Sequence, residues 1–152
     1  MKRILYIIAA ALLMVACGDK NGESKRSLEE QLYGEWKSSD LAIDAEIYMN
    51  FLADKTFELY QKVGEGAHRL YRGTWNIEED LLTGRYNDGE DWAAAYQVAI
   101  KDKTLTLTSS NDAAEKSTYV QCEIPAEVKD HSVVEVKSSG RMLNSQPQYR
   151  WL

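Results

Sequence analysis

The chain has 152 residues, 44% of them hydrophobic and 28% charged, with 18 Lys+Arg against 24 Asp+Glu and a formal charge of −6. That is the composition of one globular domain, neither collagenous nor disordered. The acidic balance argues against a nucleic-acid partner, which needs clustered Lys and Arg, and two Cys with two His leave little material for a zinc site.

Lys2 and Arg3 precede an apolar run from Ile4 to Ala16, the charged start and apolar core of a secretory signal. Spanning a bilayer needs about 20 apolar residues, so the run is too short for a transmembrane helix. It ends in Met14-Val15-Ala16-Cys17, followed by Gly18, which resembles the lipobox of bacterial lipoproteins. The resemblance implies a signal peptide over residues 1–16, cleavage before Cys17, a diacylglycerol thioether on its sulfur and acylation of the new amine. More than one acyl chain gives stable anchoring, at ~0.8 kcal/mol per buried methylene. Gly18, where an Asp would retain such a lipoprotein at the inner membrane, implies the outer membrane, with the leaflet left open. An acylated Cys17 leaves Cys122 no disulfide partner within the chain. From Cys17 onward 16 basic residues face 24 acidic ones, a charge of −8.

Residues 18–26, GDKNGESKR, hold no aliphatic or aromatic side chain and read, with Cys17, as a flexible tether over 17–26. Ser27 and Glu30 have the Ser-x-x-Glu spacing of a capping box, predicting a short helix from Leu28 to Tyr33 that Gly34 ends. The pattern then becomes strand, turn, strand, with strands near 34–39, 45–52, 56–63, 68–77, 81–86, 92–101, 104–109 and 117–124. The hairpins agree on one inner face. Phe51 faces Phe57 and Met49 faces Leu59; Leu59 faces Tyr71 and Phe57 faces Gly73. Ile77 faces Leu82, Trp75 faces Gly84, Tyr86 faces Trp92, Leu82 faces Tyr96, Ile100 faces Leu105 and Val98 faces Leu107. The opposite face, with Glu46, Asn50, Glu58, Lys62, Arg72, Asn76, Thr83, Arg85 and Gln97 among others, is wet, which excludes a transmembrane barrel. The prediction is an all-β, antiparallel, up-and-down eight-stranded barrel over residues 27–124 with a short N-terminal helix, closure removing the exposed edges.

A short helix followed by Gly34-Glu35-Trp36 on the first strand resembles the Gly-x-Trp signature of lipocalins, where the Trp plugs the closed end of the barrel. A second Gly-x-Trp stands at Gly73-Thr74-Trp75. With the lipobox, the whole is similar to the short lipocalin-like lipoproteins of Gram-negative envelopes. One departure is that residues 117–124, STYVQCEI, lack the Arg that lipocalins stack on the plugging Trp.

Met49, Phe51, Phe57, Leu59, Tyr71, Trp75, Tyr86, Trp92, Tyr96 and Val98 are predicted to line the interior, either as an aromatic cavity for one small ligand or as a filled core. An eight-stranded interior is just wide enough for either. Gly73 and Gly84, each opposite an aromatic ring, mark a bend at a barrel corner or space kept for a ligand. The acidic turns around residues 78–80 and 87–91 match no calcium-loop spacing and suit ordinary hairpins, so neither a metal nor a cofactor is expected. His68 and His131 lie far apart, Cys122 has no nearby His, and no Gly-x-Ser-x-Gly elbow exists, so no catalytic residue is assigned. Residues 125–152 change character. Ser132-Val133-Val134-Glu135-Val136 predicts one more short strand, partial disorder is the default for such a terminus, and Tyr149-Arg150-Trp151-Leu152 is placed either as a cap on the barrel or as a partner-binding end. The functional expectation is a non-enzymatic, membrane-anchored envelope lipoprotein binding a small apolar or amphipathic ligand. The alternative is a protein-interaction or inhibitor module with a filled core, its protein partner unspecified.

Overall fold

The computed structural model describes residues 26–41, 44–111, 114–135 and 152; Cys17, the signal segment and nearly all of the tether lie outside them. Helix α1 spans Leu28–Leu32, followed by β1 (Gly34–Ser38), β2 (Ala45–Phe51), β3 (Thr56–Val63), β4 (Arg69–Glu78), β5 (Leu81–Tyr86), β6 (Tyr96–Lys101), β7 (Thr104–Ser109), β8 (Lys116–Gln121), helix α2 (Ala126–His131) and β9 (Val133–Val134). Each of β1 to β7 pairs antiparallel with the next, and β8 pairs antiparallel with β1. The result is the closed up-and-down barrel of eight strands that one-sided burial predicts.

The predicted register holds through most of the wall. Phe51 pairs with Phe57 and Met49 with Leu59, Leu59 with Tyr71 and Phe57 with Gly73, Trp75 with Gly84 and Ile77 with Leu82, Val98 with Leu107 and Ile100 with Leu105. Because side chains alternate, this one register sends Ile47, Met49, Phe51, Phe57, Leu59, Tyr71, Trp75, Leu82, Tyr86, Val98, Leu105, Leu107 and Tyr119 into a single buried cluster.

Helix α1 closes one end. The Ser27 hydroxyl accepts from Glu30 N at 3.2 Å while Glu30 Oε2 accepts from Ser27 N at 2.8 Å, so the capping box forms in both directions. Leu32 is fully buried and its carbonyl accepts from Trp36 Nε1 at 2.9 Å. The plugging indole is thus satisfied by the helix itself. The turn between β2 and β3 reaches the same end: Lys55 Nζ lies 2.6 Å from Glu29 Oε1 and 4.5 Å from the Trp75 ring centroid. Tyr33 donates to Glu29 at 2.7 Å and meets Trp75 edge-on at 5.9 Å. The two hydrogen bonds, Lys55 first, hold the Glu29 carboxyl below its ordinary range.

Two findings depart from the sequence expectations. The outer face is not wet throughout. Tyr48, Tyr60 and Leu70 form one cross-strand row on it, buried together with Ile124 and Val128. Helix α2, which the sequence reading does not include, covers that row. Glu35 ties it down by accepting from Ile124 N at 2.5 Å and from Lys129 Nζ at 2.7 Å. The expected strand beyond Ser132 forms as Val133–Val134, parallel to β4 at Arg69 and Leu70. It fits there because β5 leaves β4 at the Gly73–Tyr86 pair, exposing four residues of edge that β9 then partly covers.

The second departure lies between β5 and β6. The sequence predicts one continuous strand over 92–101 with Tyr86 facing Trp92. The structure pairs Arg85 with Asp91, and Tyr86 N donates to Glu90 O and Trp92 N to Gly84 O. Yet Leu82 still pairs with Tyr96. One residue separates Leu82 from Gly84 and three separate Trp92 from Tyr96, so the segment 93–95 holds two residues more than the strand it faces and loops out of the wall. This is an enlarged bulge, and it starts β6 at Tyr96 instead of residue 92.

Candidate functional site

All ten predicted lining residues join or pack on the main cluster. Met49, Phe51, Phe57, Leu59, Tyr71, Trp75, Tyr86, Trp92 and Val98 are buried in it and Tyr96 packs on it. Their rings fill the space against one another. Phe57 meets Tyr86 at 5.6 Å and Trp92 at 5.1 Å, Phe51 meets Trp75 at 5.6 Å, Tyr71 meets Tyr86 at 6.1 Å and Trp92 meets Tyr96 at 6.2 Å, all edge-to-face. The two inward glycines serve that packing. A methyl group on Gly84 would overlap the Trp92 ring, and one on Gly73 would overlap the Arg85 carbonyl and the Phe57 ring. Their vacated space holds aromatic rings.

An open volume lies in the wall. Where residues 93–95 leave the ladder, a crevice of about 370 Å³ opens between β4, β5 and the bulge. Trp75, Gly84 and Trp92 contribute its indole-rich apolar part, with Ala94 and Ala95 beside them; Thr74, Asn76, Thr83, Arg85 and Asp91 supply polar groups. Strand alternation explains the mixture, since 74, 76, 83 and 85 point outward and 75 inward. Arg85 and Asp91 form a two-point ion pair, Nε to Oδ1 at 2.7 Å and Nη2 to Oδ2 at 3.3 Å. Through that hydrogen bond the guanidinium holds the Asp91 carboxyl below its usual range, so this rim pair is internally neutral at neutral pH.

One residue of the crevice wall carries an unsatisfied buried group. The Trp92 indole N–H is buried and has no acceptor among the described residues, whereas Trp75 Nε1 donates to Thr56 O at 3.0 Å and Trp36 Nε1 to Leu32 O. A buried donor without a partner costs about 1–3 kcal/mol, and Trp92 stands on the wall of a cavity large enough to admit an acceptor.

Of the ten predicted lining residues, Trp75 and Trp92 alone reach this crevice. The sequence reading misses Thr74, Asn76, Thr83, Arg85, Asp91, Ala94 and Ala95, placing the first four on the outer face or leaving them unassigned. A signal was present in the Ala93-Ala94-Ala95 run, because alanine is depleted in strands.

His68, on the same outer face as Leu70, is buried there beside Tyr48, with ring centroids 5.8 Å apart, and its Nε2 lies 3.2 Å from Glu46 Oε2. Burial pushes its pKa down, and the Glu46 carboxylate only partly opposes this. His131 is exposed at the end of α2. The free Cys122 thiol packs on the α2 cluster, and burial, first among its causes, raises its pKa; it is a poor thiolate nucleophile. Among the described residues no group of three His, Cys, Asp or Glu side chains is placed to hold a metal ion, and no helix is long and apolar enough to cross a membrane.

The barrel has a solved counterpart. An NMR structure of a protein from Bacteroides uniformis ATCC 8492 superposes with a TM-score of 0.51 at 22% identity, covering 62% of this chain and 92% of that one, a likeness of fold. No curated protein matches. Residues 32–107, half of the 152, match the family described as "Lipocalin-like domain", and they run from the buried leucine of α1 to the last inward leucine of β7. The chain belongs to the lipocalin-like domain family, whose fold generally serves binding and not catalysis.

Proposed function

We propose that the protein is a non-enzymatic, lipid-anchored envelope lipoprotein of the outer membrane whose barrel binds one small amphipathic molecule in the crevice between β5 and the 93–95 bulge. The observation that carries this reading is the juxtaposition of an open volume of about 370 Å³ with the Trp92 indole, whose buried N–H has no acceptor among the described residues. Ligand pockets range over roughly 300–1,000 Å³ and combine an apolar lining with a few convergent polar groups. The ligand sets its apolar side on Trp75, Trp92 and the two alanines, presents an acceptor to Trp92 Nε1, and leaves its polar side to Thr74, Thr83 and the Arg85–Asp91 pair.

Native mass spectrometry of protein purified without refolding checks for a co-purified molecule, and a bare mass in repeated preparations counts against carriage. Fragment titration monitored on the backbone amides of residues 74, 83, 94 and 95 tests the place. Thr83→Trp, which fills the crevice from the outside, abolishes the shifts, and Trp92→Phe weakens binding about fivefold through loss of one hydrogen bond. The anchor is tested separately: Cys17→Ser removes fatty-acid labelling and releases the protein from membranes, and persistent labelling refutes it.

A second reading, an envelope interaction or inhibitor module acting through its surface, draws on the ring-packed interior, where Phe57, Tyr86 and Trp92 each meet two rings. It prevails if no small molecule perturbs the crevice amides.

A further inference from the structure

The polar groups of the wall crevice form a pattern. On the outer face Thr74 pairs across the ladder with Arg85, and Asn76 with Thr83; all four border the crevice. Neighbours on one face of a strand stand about 7 Å apart and cross-strand partners about 5 Å, so the four mark a rectangle the size of one six-membered ring with its substituents. Asp91 stands beside it, hydrogen-bonded to the Arg85 guanidinium.

The members of this set offer both halves of a hydrogen bond. A threonine hydroxyl and an asparagine amide each donate and accept. The Arg85–Asp91 pair sets guanidinium N–H donors next to carboxylate acceptors, with capacity beyond the two bonds that join them. The pair cancels its own charge, and among the described residues neither Lys nor Glu borders the crevice, so the rim suits an uncharged guest. Hydroxyl groups match it, being donors and acceptors at once. The floor is apolar, with Ala94, Ala95 and two indoles, and rings stand behind it: Phe57 lies 5.1 Å from Trp92 and Phe51 5.6 Å from Trp75. A C–H ring face fits such a floor, whereas a long alkyl chain would meet those rings.

We infer that the guest of the crevice is an uncharged pyranose, its C–H face on the alanines and indoles and its hydroxyls bonded to the threonine, asparagine and Arg85–Asp91 rim. This deepens the crevice-binding reading and rests on it. The ion pair takes two neighbouring hydroxyls, one accepting from the guanidinium and one donating to the carboxylate.

The test titrates the full chain with the methyl glycosides of glucose, galactose and mannose at millimolar concentrations, following the backbone amides of residues 74, 83, 94 and 95 by NMR. Cyclohexanol serves as a six-membered ring without the hydroxyl array. At least one glycoside is expected to give saturable shifts there and to bind about tenfold or more tightly than cyclohexanol. Replacing Arg85→Ala and Asp91→Ala together removes the rim pair, whose side chains are exposed. It is expected to weaken the glycoside about tenfold and to leave cyclohexanol unchanged. An equal loss for both probes overturns the inference, as does glycoside binding that persists in Thr83→Trp. Methyl glucuronide binding more tightly than methyl glucoside overturns it too, by showing a charged guest. The trisaccharide of the sugar that binds separates two sources: tighter binding than the methyl glycoside assigns the ring to a longer glycan, equal binding to a free sugar, and both uphold the inference. Crevice shifts with cyclohexanol and none with any glycoside sink this inference and leave the crevice reading standing; no shifts with either sink both.

Discussion

Two stretches of the same wall behave differently. Strands β2 and β3 pair without interruption from Ala45–Val63 to Phe51–Phe57, whereas β5 and β6 share only Leu81–Gln97 and Leu82–Tyr96 before residues 93–95 leave the ladder. In the first stretch every inward side chain meets a partner across the sheet. In the second, two extra residues break the alternation, outward polar side chains border an inward indole, and a crevice results. The lesson is that an eight-stranded barrel packed with rings still opens a crevice where its ladder is locally misfit. Bulges commonly sit next to functional sites for this reason.

That contrast can be broken by mutation. The largest expected effect is away from the seam, on β1 at the α1 end. Trp36→Ala removes a fully buried indole and costs about 3–5 kcal/mol, read as a lower midpoint in urea denaturation; a cost below about 1 kcal/mol would mean that this end is not the rigid one. Gly84→Ala at the seam comes next, at about 1–3 kcal/mol, because the added methyl displaces the Trp92 ring. A red shift of indole emission accompanies it, and unchanged emission would contradict the packing.

Ser27→Ala, which removes the helix cap, costs about 1 kcal/mol and loosens the α1 end, with no expected change in fragment binding at the crevice. The pH profile probes the α2 side. His68 titrates lower in the folded protein than in the unfolded chain because burial opposes its charge. The unfolded state therefore binds a proton first as pH falls. Stability declines from the unfolded value near 6.5 downward and levels off below the folded value. His68→Phe flattens that part of the curve, and an unaltered decline would assign it to other groups. The smallest effect is deletion of the exposed Arg85–Asp91 pair by Asp91→Ala. It scarcely moves the urea midpoint, as solvent-screened pairs do, but it changes the response of the crevice amides to added fragments.

The barrel was legible in the residues because alternation is a strong signal. Once Met49 faces Leu59 and Phe57 faces Gly73, a slip of one position would turn every apolar side chain outward. The capping box at Ser27 and Glu30 was equally readable, since it needs only four consecutive residues. Helix α2 was not, because its six residues bury a single side chain, Val128, which carries no period. Its reason for existing is Tyr48, Tyr60 and Leu70, far away in the chain and apolar on a face that otherwise reads as wet.

The sequence alone determined the inner face, the helix at one end and the resemblance to lipocalins, all properties of local spacing. Tertiary structure decided what lies across the wall. Phe57 and Trp92 meet, so the interior fills; Trp92 pairs at Gly84 while Tyr96 pairs at Leu82, so residues 93–95 must bulge; and Leu152 lies under Tyr86. Each is a contact between distant residues whose register no local pattern encodes, because closing a barrel sets strand offsets collectively.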